Sequence, residues 1–154
     1  MNEWSPFERL TLRLGPVWVM SALCGRCRFD SLEQEAFWST VEDVAGDVDG
    51  LARDVLVEAL GDRRWLFDEF ELDSRPIVSG LSQVVTLLER VDLDSSSTTR
   101  RALLDVGHGV ARARGPFGRR ESLQDAQTLL LVAQLLQTMS ETADHNPLNS
   151  DLPL

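Results

Sequence analysis

The chain has 154 residues, 43% of them hydrophobic and 26% charged, which is the size and composition of one globular domain and argues against wholesale disorder. All fifteen basic residues are Arg, set against 25 acids for a net charge of −10. That balance argues against a general nucleic-acid or anionic-membrane binder, because phosphate attraction needs surplus positive charge, and two Cys cannot make a disulfide scaffold.

The opening Met1-Asn2-Glu3-Trp4 carries an acid where a secretory signal carries basic residues. The most apolar run, residues 17–24, is interrupted by Ser21 and far shorter than the ~20 residues that span a bilayer. The expectation is a soluble cytoplasmic protein without a membrane span. Ser5-Pro6-Phe7-Glu8 predicts a helix start, with Ser5 as cap, Pro6 at the first helical position and Glu8 closing a capping box. A kink or short break is expected at Gly15-Pro16, because Pro lacks the amide donor. Residues 16–24 are apolar nearly all round and predict a buried helix, with a buried strand as the alternative over so short a run.

Asp30 with Glu33 marks the next start, and Phe37, Val41, Val44 and Val48 recur at helical spacing behind it. The pattern breaks over residues 46–50. A helix over 51–60 follows, with Gly61 as a left-handed stop, and then a short acidic segment around Trp65, Leu66, Phe67 and Phe70. Pro76 opens another helix, with Ile77, Leu81, Val84, Leu88 and Val91 on one face. Residues 92–98 are Ser-rich and read as a loop and candidate hinge. A helix from Thr99 carries Leu103, Val106 or Gly107, Val110 and Ala113 into a turn at Gly115-Pro116-Phe117-Gly118. Ser122 with Asp125 caps the last helix, whose expected buried face is Ala126, Leu129, Leu130, Ala133, Leu136 and Met139. Strand signals are poor, with one Ile and no Tyr. The reading is an all-α single-domain bundle of about six or seven helices over residues 1–140, with 141–154 as a flexible tail.

Asp30-Ser31-Leu32-Glu33 and Glu121-Ser122-Leu123-Gln124 echo each other at an offset of 91 positions, each behind a small-residue helix end and an Arg-containing turn. Two pseudo-repeated helical hairpins packed together would account for this; so would the general likeness of any two capped helices. On these residues the chain resembles the tellurite-resistance protein B-like (TerB-like) helical family. Trp4, Pro16, Phe29, Asp30 and Glu33 fall where its first pattern has Trp, Pro, an aliphatic residue, the second Asp and the Glu. Val110-Ala111-Arg112-Ala113-Arg114-Gly115, with Glu121 and Asp125, fits its second half. The resemblance spans roughly residues 4–136 through short motifs. It implies an all-helical fold, a cytoplasmic non-catalytic role in a stress-linked assembly, and cation-binding acidic turns at Asp30 and Glu33 and at Glu121 and Asp125. The chain departs from the family where Arg26-Cys27 replace Asp-Gly. A Ca²⁺ site needs about six to eight oxygens, and guanidinium groups beside Asp30 and Glu33 repel a divalent ion.

Cys24-Gly25-Arg26-Cys27 is the one recognisable chemical motif. Arg26 and Arg28 would stabilise a thiolate for dithiol redox work, whereas the predicted helix C-terminus disfavours one. Zinc would need two further ligands, for which His108 is the candidate although it and His145 lie at no known finger spacing, and the plain alternative is a core Cys24 and a turn Cys27. His108 lies between Gly107 and Gly109 with no local partner, so no catalytic constellation is expected, and no cofactor.

Charge is segregated. Residues 42–73 hold eleven acids against three Arg, a balance of −8, and residues 100–120 hold six Arg against Asp105, a balance of +5. Either these are solvated faces or they steer a protein partner or a second copy of the chain. Candidate contact residues are Asp68 and Glu69 on the acidic side, and Arg112, Arg114, Arg119 and Arg120 on the basic side, for which phosphate at the helix start near Ser122 is an alternative ligand. Trp38, beside rather than on the apolar stripe, and Trp65 are candidate exposed anchors. The reading is a non-enzymatic interaction module; the alternative is a dithiol redox or zinc protein.

Overall fold

The computed structural model describes residues 3–115 and 120–138, and among these it contains seven helices and no strand. They are α1 (Pro6–Cys24), α2 (Ser31–Asp47), α3 (Gly50–Gly61), α4 (Leu66–Leu72), α5 (Ile77–Leu88), α6 (Leu93–Arg114) and α7 (Leu123–Leu135). No helix among the described residues is long and apolar enough to cross a membrane.

The first start signal forms as its residues dictate. Ser5 Oγ accepts from the Glu8 amide at 3.1 Å, while Glu8 Oε1 accepts from the Ser5 amide at 2.8 Å. Behind this box α1 runs unbroken through Pro16, so the expected break is absent. The reason is its position: α3, α4, α5, α6 and α7 all pack against α1, and residues 14–21 are all buried. Surroundings on every side hold the helix together across the missing hydrogen bond. It ends at Gly25, whose φ of +68° is the left-handed cap that glycine adopts without penalty.

α6 is the second long axis and packs along both α1 and α2, whereas α1 and α2 barely touch. The first two long helices therefore do not form a hairpin. The echoed caps also differ in register, because Asp30 is the N-cap of α2 but Ser122, not Glu121, is the N-cap of α7. α6 begins earlier than expected. Asp92 accepts from the Ser95 amide at 3.0 Å, so residues 93–98 are its first turns rather than a hinge. Serine and threonine are tolerated there because Thr99 Oγ1 donates back to the Ser95 carbonyl at 2.7 Å, and Ser96 and Thr99 lie buried.

Other boundaries shift for similar reasons. α2 carries Gly46 within it and stops at Asp47, and Gly61 ends α3 without the left-handed geometry, Asp62 being the cap at φ −99°. In α7 the buried stripe is Asp125, Leu129, Val132 and Ala133, continued by Leu136, while Leu130 is 56% exposed rather than buried. Three consecutive leucines leave the helical phase ambiguous by one position, and the packing on α6 settles it. Met139 and residues 141–154, expected as a last core residue and a tail, lie outside the described residues.

Trp38 is buried, not an exposed anchor. It stacks on Phe37 at 4.9 Å, and Phe67, in the first turn of α4, meets both edge-on at 5.4 Å. Arg63 covers its outer face 5.2 Å from the ring centre. Phe29, Phe70 and Trp18 extend the aromatic cluster toward α1.

Candidate functional site

The end of α1, the starts of α2 and α7, with Asp30 and Ser122 as their caps, and the end of α6 converge on one polar junction. Asp30 and Glu33 form a reciprocal capping box, with the Glu33 amide donating to Asp30 Oδ1 at 2.8 Å and the Asp30 amide to Glu33 Oε1 at 3.0 Å. Glu33 Oε1 also takes Arg26 Nη2 at 2.5 Å. Arg114, whose side chain is a third exposed, donates Nη1–H to Cys24 Sγ at 3.1 Å and lies 4.0 Å from Glu33 Oε2. Its Nε is 3.5 Å from Oδ2 of the buried Asp125. One guanidinium thus spans the two acidic turns.

These contacts fix the chemistry of the Cys-x-x-Cys pair. Burial, then the hydrogen bond to Glu33 and its negative charge, push the Cys24 thiol up to about 12, against the opposing pull of Arg114 and Arg26. Burial would raise Glu33 as well, but the Asp30 amide, the Cys24 thiol and Arg26 outweigh it and hold this carboxyl below its ordinary range. The nucleophile of thiol chemistry is the thiolate, and Cys24 is kept protonated. Cys27 is exposed, and both cysteines are free. Among the described residues, no group of three or more His, Cys, Asp or Glu is arranged to hold a metal.

His108 is not partnerless. It pairs with Glu121, the residue before the Ser122 cap of α7. Nothing in the local sequence announces this, because the two residues are thirteen positions apart and meet only when α6 and α7 pack.

The structure divides the acidic stretch into spent and open charges. Glu42 pairs with Arg63 at 3.2 Å, and Glu71 lies 3.5 Å from Arg28. Glu58, Asp62 and Glu69 turn onto Arg13, at 3.8, 3.2 and 2.7 Å, and Glu58 also takes Arg9 at 2.9 Å. Glu69 is therefore an internal ion-pair residue, not a surface contact. Asp43, Asp47, Asp49, Asp54 and Asp68 are exposed, and no ion pair engages them among the described residues. The same run of chain presents Val57, Trp65 and Leu72 to solvent, at 49%, 54% and 87% exposure, with Arg64 stacked 5.0 Å from the Trp65 ring centre. On the basic side Arg112 and Arg120 are exposed, Arg114 is drawn into the junction, and Arg119 lies outside the described residues.

Two arginines that sequence reasoning missed organise the interior. Besides Arg13, Arg75 pairs with Asp73 at 2.7 Å, with side chains only 14% and 9% exposed. Arg75 also donates to Thr11 Oγ1 at 2.9 Å and lies over the rings of Phe7 and Trp18. The Asp-x-Arg-Pro spacing before α5 was the available signal. In comparisons with protein-family models, curated proteins and solved structures, the chain matches none.

Proposed function

We propose that the chain is a non-enzymatic helical interaction module whose contact surface is the end of α2 together with α3 and α4. The observation that carries this reading is the set of five exposed aspartates, unpaired among the described residues, in the same run of chain as Val57, Trp65 and Leu72. Carboxylates that the fold leaves unmatched steer a basic partner, and Trp is one of the residues enriched among interface anchors. Arg112 and Arg120 give the chain a positive patch of its own, so a second copy is the simplest partner with the required charge. The TerB-like resemblance through Trp4, Pro16, Phe29, Asp30 and Glu33 points the same way, toward a cytoplasmic role in a stress-linked assembly. The dithiol or zinc alternative draws no support from a Cys24 held as a thiol.

The experiment is sedimentation of the purified chain, and capture from a lysate, at low and high salt, for wild type and for Asp54→Asn/Trp65→Ala. Association that salt and the double substitution both weaken supports the reading. A salt-insensitive monomer that retains no partner overturns it.

A further inference from the structure

Arg13 gathers its carboxyl groups from three elements. Glu58 belongs to α3, Asp62 to the turn behind it and Glu69 to α4, and Arg9 of α1 also faces Glu58. The other charged side chains of that turn point elsewhere, Arg63 onto Glu42 and Arg64 onto the Trp65 ring. Two positive groups therefore meet three potential negative ones. Glu69 Oε2 takes Arg13, but Glu69 Oε1 is shut off from solvent and receives no hydrogen bond. Asp62 and Glu69 take neighbouring nitrogens of one guanidinium, Arg13 Nε at 3.2 Å and Nη2 at 2.7 Å, which crowds the two carboxyls together in a way that two ionised carboxylates resist.

We propose that Asp62 carries a proton and donates it to Glu69 Oε1, making a proton-dependent latch that fastens α4 to α1 and to the end of α3. A single proton both fills the orphaned oxygen and balances two positive charges against two negative ones. The asymmetry of the pair places it on Asp62. Burial, then the hydrogen bond and charge of Glu69, push Asp62 up to about 6 against the pull of Arg13. Burial acts on Glu69 in the same direction, but the hydrogen bonds from Asp62 and Arg13 hold it below its ordinary range.

The sign follows from linkage. Burial and Glu69 raise Asp62 from its ordinary 3.8 to about 6, and the part of that rise that α4 supplies is lost when α4 detaches. The latch is therefore fully present below the lower value and lost as pH rises through the higher one. Apart from the latch, this helix of seven residues is held by the burial of Leu66 and Phe70, by the Phe67 ring against Phe29, Phe37 and Trp38, and by Glu71 beside the exposed Arg28. On the reading that α3 and α4 form the contact surface, the latch sets how firmly Trp65, Asp68 and Leu72 are presented.

The test is amide exchange of the full chain at pH 5 and pH 7, corrected for intrinsic rates and referenced to α5, together with carbon-13 titration of the side-chain carboxyls. Protection of residues 66–72 falls roughly three- to tenfold from pH 5 to pH 7, the upper value being the linkage limit and the lower one allowing for solvent screening. In Asp62→Asn, whose amide donates to Glu69 Oε1 at every pH, that fall disappears. An Asp62 carboxyl that titrates at its ordinary value overturns the latch, as does an equal fall in Asp62→Asn. If the variant does not fold, the wild-type titration decides alone. No partner enters either measurement, so failure here leaves the contact-surface reading standing.

Discussion

Arg114, in the last turn of α6, donates to the sulfur of Cys24, the last residue of α1, across 90 positions of sequence. The Cys-x-x-Cys motif and the Arg-rich turn, two separate features of the sequence, thus answer each other in space. A guanidinium beside a thiol lowers its pKa, and Arg114 does pull in that direction. Burial and Glu33 pull harder, so the guanidinium serves as a tie between Glu33 and Asp125 rather than as an activator of sulfur.

Thiol reactivity tests this balance. At pH 7.5 a small thiol reagent labels the exposed Cys27 quickly and Cys24 slowly, read by mass spectrometry of the labelled peptides. Glu33→Gln keeps a residue able to close the capping box but removes the charge that raises Cys24. Labelling of Cys24 then accelerates several-fold, while burial still keeps it slower than Cys27. Equal rates at the two thiols in the wild type contradict the arrangement.

The two tryptophans predicted as anchors separate by stability. Trp38→Ala opens a cavity beside Phe37 and Phe67 and costs about 3–5 kcal/mol in urea denaturation. Trp65→Ala stays within about 1 kcal/mol of wild type, because that side chain is 54% exposed. Its effect falls instead on partner capture. The reverse order of stabilities contradicts the placement of both rings.

Asp73 and Arg75 give the clearest acid dependence. The Arg75 guanidinium holds the Asp73 carboxyl below its ordinary 3.8, against the opposing effect of burial. The contribution of the pair is present above 3.8 and is lost as pH falls through the lower, folded-state value. Asp73→Asn leaves a mostly buried guanidinium without its counter-charge, at a cost of roughly 3 kcal/mol at pH 7. The gap between wild type and variant, followed by thermal denaturation, narrows at pH 3 and below. A gap independent of pH contradicts the ion pair.

What the sequence disclosed was local. Ser5 with Glu8, Asp30 with Glu33, and Ser122 with Asp125 all act within four residues, and each forms the cap its spacing promised. The continuity of α1 through Pro16, the burial of Trp38 and the exposure of Leu130 depend on what packs against them from elsewhere in the chain. The same holds for the candidate site. His108 with Glu121, Arg13 with Asp62 and Glu69, and Arg114 with Cys24 are long-range pairs of charged or polar groups, which leave no periodic trace. The division of the acidic stretch into paired and unpaired carboxylates was illegible for that reason, although its net charge was plain.

Two helical glycines test whether close approach or conformational freedom governs these positions. A Cβ on Gly80 of α5 would stand 2.2 Å from Cε2 of Trp18, with two further ring atoms at 2.5 and 2.6 Å. That ring is 1% exposed, set edge-on to Phe70 at 6.4 Å and covered by Arg75, so it cannot yield. Gly80→Ala gains up to about 1 kcal/mol of helix propensity. Overpacking of about 1–3 kcal/mol or more opposes it, and with backbone-borne carbon forced into a rigid indole the upper end applies. The net is a loss of about 2 kcal/mol and separation of α5 from α1. Gly46, inside α2, has nothing within 4 Å of the same position. Only the propensity term remains there, so Gly46→Ala stabilises by about 0.5 kcal/mol, the low end that a fraying last turn allows. Opposite signs for one chemical change, read from urea midpoints at constant m-value, identify Gly80 as a packing glycine. A stabilising Gly80→Ala contradicts the seating of α5 on Trp18.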